Sequence, residues 1–155
     1  MLAFPFSGSK IILWDNWGKQ LRQDDYFVKK SYSASEDLAI TRALIQQSVP
    51  AAASRCVYVD ELFPNEAIIK DCEATFSLIH FDIYDRAAFV SGVEMIWPKL
   101  MNGAIFIVSA YGSISLDSLT NAVNFFALKH DDCIFIQSQS GLGLLIKNAN
   151  KKASA

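Results

Sequence analysis

The sequence predicts an α/β fold built on a doubly wound, mostly parallel sheet with a C-terminal antiparallel hairpin. Two short apolar runs, residues 76–84 (FSLIHFDIY) and 103–112 (GAIFIVSAYG), each end abruptly in polar or aromatic residues. A helix-length segment joins them, and apolar runs separated in this way are typical of parallel strands that are buried on both faces. Since ligands bind outside the carboxyl ends of such strands, the ends of these two runs are the predicted functional edge.

The whole chain alternates between strand and helix signals. The predicted strands cover residues 11–14, 56–59, 76–83, 104–108, 133–137 and 142–147. The predicted helices cover residues 34–49, 66–72, 86–100 and 116–130. Ser33 and Glu36 form a capping box at the start of the first helix, and Pro50 is expected to end it. The last two strands are expected to form a hairpin whose turn contains the necessary glycines.

Three of these helices carry apolar residues at helical spacing; the third is expected to pack on the sheet, and the fourth is expected to bury its apolar residues. The stripes are Leu38, Leu44, Ile45 and Val49 in the first helix, Phe89, Val93, Ile96, Trp97 and Leu100 in the third, and Leu119, Val123 and Phe126 in the fourth.

The composition predicts one domain. A chain of 155 residues, 52% of them hydrophobic and 19% charged, is long enough to bury a sizeable core and is unlike a disordered sequence. We expect an irregular lead-in over residues 1–10, a single α/β domain over residues 11–147 and a flexible tail over residues 148–155.

The net charge and the cysteines indicate which partners and which cellular compartment to expect. A formal charge of −2 offers no field that would attract nucleic acid or an anionic membrane. Cys56, Cys72 and Cys133 are odd in number and widely spaced, which fits free thiols in a reducing compartment better than disulfides or a zinc site. No secretion signal or membrane-spanning run is recognisable. We therefore expect a cytoplasmic protein without a nucleic-acid or membrane partner.

The second half of the chain resembles S-adenosylmethionine-dependent O-methyltransferases of the macrocin O-methyltransferase type. Members of that family carry a strand ending Asp-x-Asp-x-Tyr, a Tyr-Pro-x-Leu-like turn, and then Pro-Gly-Gly, four apolar residues and Asp-Asp-Tyr-Gly. The corresponding stretches here are residues 80–84 (HFDIY), 96–100 (IWPKL) and 102–112 (NGAIFIVSAYG). The resemblance implies a methyltransferase-like, Rossmann-related fold over residues 11–147, and it makes residues 14–17 (WDNW) similar to the family's second strand.

Two departures from the family pattern stand out. The family's acids at the two strand tips imply a divalent metal site, but His80 replaces the first acid and residues 109–110 (SA) replace the Asp-Asp pair. Asp82 alone keeps its carboxylate, and magnesium prefers carboxylate oxygens, so no metal is expected. The family's first strand and glycine loop also have no counterpart before Ile11, because such a unit needs roughly 30 residues. The strand at Ile11 would then pair directly with the one at Phe76, or another subunit would fill the gap.

Each candidate site residue has two interpretations. Asp15 is a ribose ligand or an acid that caps the following turn, and Asp60 is an adenine ligand or a solvated strand end. His80 and Asp82, which alternation places on one side of a strand, are a general-base pair or the remnant of a metal site. Tyr84 and Tyr111 line a cofactor cleft in the family pattern, or are core tyrosines with satisfied hydroxyls. Ser109 has no identifiable base.

These observations predict a degenerate methyltransferase-like domain that is non-catalytic and is retained for binding a protein partner or for self-association, most simply as a homo-oligomer. No cofactor is expected. The alternative is an active S-adenosylmethionine-dependent O-methyltransferase, either by itself or completed by a partner subunit that supplies the missing first strand.

Overall fold

The computed structural model describes residues 10–15, 34–109, 111–112 and 117–148. They belong to two compact units, Met1–Phe63 and Pro64–Ala155. Most of the predicted lead-in and tail lies outside the described residues, and so does Ser33 with its predicted cap. None of the described helices is long and apolar enough to cross a bilayer. All three cysteines are free thiols, as predicted.

The described part of the first unit contains one parallel strand pair and two helices. Its described elements are β1 (Ile11–Asp15), α1 (Ala34–Ser48), α2 (Pro50–Ala53) and β2 (Cys56–Asp60). Strand β1 pairs with β2, so that Asp15 lies opposite Asp60. Helix α1 ends at Ser48, before Pro50, as predicted, and Pro50 itself starts the separate helix α2. Proline suits the first position of a helix, where its missing N–H has no partner to lose.

The apolar stripe of α1 is only partly covered. Leu38 and Ile45 are half-buried, whereas Leu44 and Val49 are 55% and 51% exposed. Helical spacing determines which side chains share a face, but it does not supply a neighbour for that face. Leu44 and Val49 therefore belong to the stripe of α1 by their spacing but are not buried.

The second unit is a four-stranded sheet with helices. Its described elements are α3 (Glu66–Asp71), β3 (Phe76–Phe81), α4 (Arg86–Ile96), the 3-10 turn Trp97–Lys99, β4 (Leu100–Val108), α5 (Asp117–Lys129), β5 (Cys133–Gln137) and β6 (Gly143–Lys147). The strand order is β3-β4-β6-β5. Strands β3 and β4 are parallel, and β6 is antiparallel to both β4 and β5. The predicted α/β class with a closing antiparallel hairpin is confirmed.

Several predicted boundaries differ from the structure. Strand β3 ends at Phe81 rather than at residue 83, and α4 ends at Ile96. Strand β4 begins at Leu100, four residues early, because Leu100 already pairs with Phe76 before the register shifts. Strand β1 pairs with β2, and the predicted direct pairing of the Ile11 strand with the Phe76 strand stays a prediction.

The core of the second unit lies between one face of the sheet and the helices α4 and α5. The predicted stripes of both helical segments are buried, as are the residues of β4 and β6 that face them. These buried side chains include Phe89, Val93, Ile96, Trp97, Leu100, Leu119, Val123, Phe126, Phe106, Val108 and Leu145. Apolar periodicity therefore predicted the core of this unit correctly.

A half-buried ion pair ties the end of α4 to the closing hairpin. The indole N–H of Trp97 donates to Asp132 Oδ1 over 3.1 Å, and Lys147 Nζ lies 3.1 Å from Asp132 Oδ2. Lys147 also donates to the Trp97 carbonyl and sits over its ring. Burial alone would raise the pKa of Asp132, but the bonds from Trp97 and Lys147 outweigh it and hold the pKa below the usual value.

Tyr111 fixes the position of the hairpin turn from the core side. Its ring meets Phe135 at 5.1 Å between centroids, and its hydroxyl donates to Asn124 Oδ1 over 2.9 Å. A Cβ at Gly143 would lie 2.9 Å from the Cγ of Tyr111. Gly143 is therefore required by close packing, whereas Gly141 takes the positive φ of the turn.

We predict that Gly143→Ala destabilises the chain by ~1–3 kcal/mol, because the new methyl group overpacks against the Tyr111 ring. The measurement is urea unfolding at equilibrium. Tyr111→Leu serves as the matched background, since it removes the ring that the methyl group would strike. The same Gly143→Ala change should cost clearly less there. Equal costs in the two backgrounds would contradict the assigned contact.

We predict that acid removes the stability contributed by Asp132. Its pKa is lowered on folding, so its contribution is present above the unfolded value of about 4 and is lost as the pH falls through the folded value. Asp132→Asn keeps the carbonyl that accepts from Trp97 but loses the charge. The difference in Tm between wild type and Asp132→Asn should shrink as the pH is lowered from about 6 to about 3.

Asp131→Asn is the control for this series, because Asp131 is the exposed neighbour and has no recorded ion pair among the described residues. Its Tm should follow the wild type across the same pH range. A constant difference between wild type and Asp132→Asn at every pH would count against the ion pair with Lys147.

Candidate functional site

The carboxyl ends of β3 and β4 lie side by side, as the sequence predicts for a parallel pair. Phe81 is in register with Val108, and the backbone N–H of Ser109 donates to the Phe81 carbonyl over 3.1 Å. One further contact joins the two ends: His80 Nε2 is hydrogen-bonded to Ser109 Oγ. The structure therefore brings together His80 and Ser109, which are 29 positions apart in the chain.

The sequence did not predict the contact between His80 and Ser109. Ser109 has a basic partner after all, but one that a motif search along the chain does not reveal. The available signal was that both residues lie near the carboxyl ends of parallel strands, and it is the pairing register that brings them together. The imidazole is exposed, and either group can donate according to the tautomer of the ring.

Asp82 does not join His80 in a pair. Strand β3 ends at Phe81, so Asp82 lies beyond the strand, where alternation no longer dictates the side to which a residue points. The Asp82 carboxylate is exposed, and no hydrogen bond between His80 and Asp82 is recorded in the described part of the chain. The general-base role predicted for the two residues stays a prediction.

The two tyrosines lie in different surroundings. Tyr111 is 6% exposed, with its hydroxyl satisfied by Asn124 and its ring against Phe135 and Gly143. This is the arrangement of a core tyrosine, which was one of the two interpretations. Tyr84 is half-buried, three residues beyond the end of β3.

The first turn of α4 follows the β3 end directly and is capped by Asp85. The Asp85 Oδ1 atom accepts from the backbone N–H groups of Ala87 and Ala88, at 2.7 and 3.1 Å. An aspartate one residue before an apolar helical pattern is a standard N-cap signal, so Asp85 was detectable in the sequence. Two of the free amide donors at this helix end are therefore used internally.

The first unit presents two acids at its own strand ends. Asp15 and Asp60 end β1 and β2 in register, and Asp15 is exposed whereas Asp60 is half-buried. The neighbouring Trp14 donates from its indole N–H to the Glu61 carbonyl over 2.9 Å, and its ring meets Phe63 edge-on at 5.3 Å. The pairing places both predicted cofactor contacts at one strand edge. Their roles stay predictions.

The described residues offer few side chains that could bind a metal ion. No cluster of three or more His, Cys, Asp or Glu side chains suited to a metal ion occurs among residues 10–15, 34–109, 111–112 and 117–148. At the β3 and β4 ends the donors are one imidazole, one hydroxyl and the separate Asp82 carboxylate. This donor set does not fit magnesium, which prefers several oxygen ligands in octahedral geometry.

Comparison with known proteins gives a fold but no family. No family model matches the chain, and no curated protein matches it. Among solved structures it is similar to apo CalS11, a TDP-rhamnose 3'-O-methyltransferase of calicheamicin biosynthesis, with a TM-score of 0.63 at 13% identity. That alignment covers 88% of this chain but only 57% of CalS11, so the chain spans little more than half of that enzyme.

Two further structures give the same result. The putative methyltransferase SMU.1697c from Streptococcus mutans, solved with SAH, has a TM-score of 0.60 at 15% identity over 89% of this chain and 76% of its own. A putative rRNA methylase from Clostridium thermocellum has a TM-score of 0.60 at 14% identity, covering 90% of this chain and 73% of its own. Identities this low establish shared architecture rather than shared activity. The chain has a methyltransferase fold.

Proposed function

We propose that the chain is a methyltransferase-like domain of the macrocin type that does not catalyse methyl transfer and is retained for binding a partner or for self-association. The fold supports the first half of this proposal. The observation that carries the second half is the hydrogen bond between His80 and Ser109 at the joined ends of β3 and β4.

The positions of His80 and Ser109 matter because, in the resemblance, they correspond to acids that bind the family's metal ion. His80 stands at the first acid of the first strand tip, and Ser109 stands at the first acid of the second. Here an imidazole and a hydroxyl satisfy each other across the gap that a cation would bridge. Asp82 is the one carboxylate left at these positions, and one exposed carboxylate is a weak site for a hard divalent ion.

The proposal also assigns no cofactor. Tyr111, a candidate cofactor contact, uses its hydroxyl on Asn124 within the core. Methyl transfer requires a bound sulfonium held in line with a nucleophile whose proton is removed. Asp15 and Asp60 remain the residues best placed to meet a nucleoside, at the ends of the β1–β2 pair.

The alternative is an active S-adenosylmethionine-dependent O-methyltransferase, either by itself or completed by a partner subunit. Its support is that SMU.1697c, with a similar fold, was solved with SAH. In that case His80 would act as the general base, Asp15 and Asp60 would bind the nucleoside, and Tyr84 would line the cleft. An enzyme that is active by itself recognises the cofactor without a partner, whereas the non-catalytic domain does not.

We predict that the isolated chain shows no measurable binding of S-adenosylmethionine or S-adenosylhomocysteine in isothermal titration calorimetry. The physical reason is that the Tyr111 hydroxyl is committed to Asn124 in the core, so that this one of the predicted cofactor contacts is lost to a ligand. Circular dichroism on the same sample establishes that it is folded. Micromolar binding that Asp15→Asn abolishes would contradict the proposal and favour the alternative.

We predict that millimolar magnesium leaves the Tm of the wild-type chain unchanged. In the double variant His80→Asp/Ser109→Asp, two carboxylates face each other and repel, so the Tm should fall without a cation and recover with magnesium. Differential scanning calorimetry measures both. The variant His80→Asn/Ser109→Asn is the uncharged control. A rise in the wild-type Tm with magnesium would show that the metal site is intact.

A further inference from the structure

We draw no further inference here: the strongest candidate, the aliphatic face of the four-stranded sheet to which Leu78, Ile105 and Ile136 belong, carries nothing, because nothing in the structure shows what covers it.

Discussion

The packing of Phe89 against three other aromatic rings is the constraint on which the second unit depends. Phe89 is fully buried on α4, and its ring meets Phe81, Phe106 and Phe126 edge-on at centroid distances of 5.6, 6.2 and 6.3 Å. One side chain thus joins α4 to β3, β4 and α5. Edge-to-face contacts of this kind contribute roughly 0.5–1.5 kcal/mol each beyond the area they bury. They hold the β3 and β4 ends in the arrangement that joins His80 to Ser109.

The residues that maintain the fold are distinct from those at the strand ends. Phe81 and Val108 are buried at the last positions of β3 and β4, and they are followed by the exposed Asp82 and the half-buried Ser109. A chain can therefore lose its chemical groups at this edge while the core that positions them is kept. The carboxylate-poor edge and the preserved architecture are compatible because different side chains determine each.

Much of the second unit could be predicted from the sequence, because its helices and strands bury one continuous core. The stripe around Phe89 and Val93 is a direct result of that burial. In α1 the same spacing does not predict burial, since Leu44 lies in the apolar stripe but remains exposed. The bond between His80 and Ser109 depends on register across two strands, which no single segment encodes. Predictions that involve Trp17, Ser33 and Ala110 fall outside the described residues.

The cap on α4 has a consequence for the charge of any molecule that approaches the β3 end. A helix N-terminus next to a strand end is a common place for phosphate groups, because its free amides and dipole attract anions. Here the amides of Ala87 and Ala88 already donate to the Asp85 carboxylate. The protein supplies its own anion at that helix end, and a phosphorylated molecule would have to displace it.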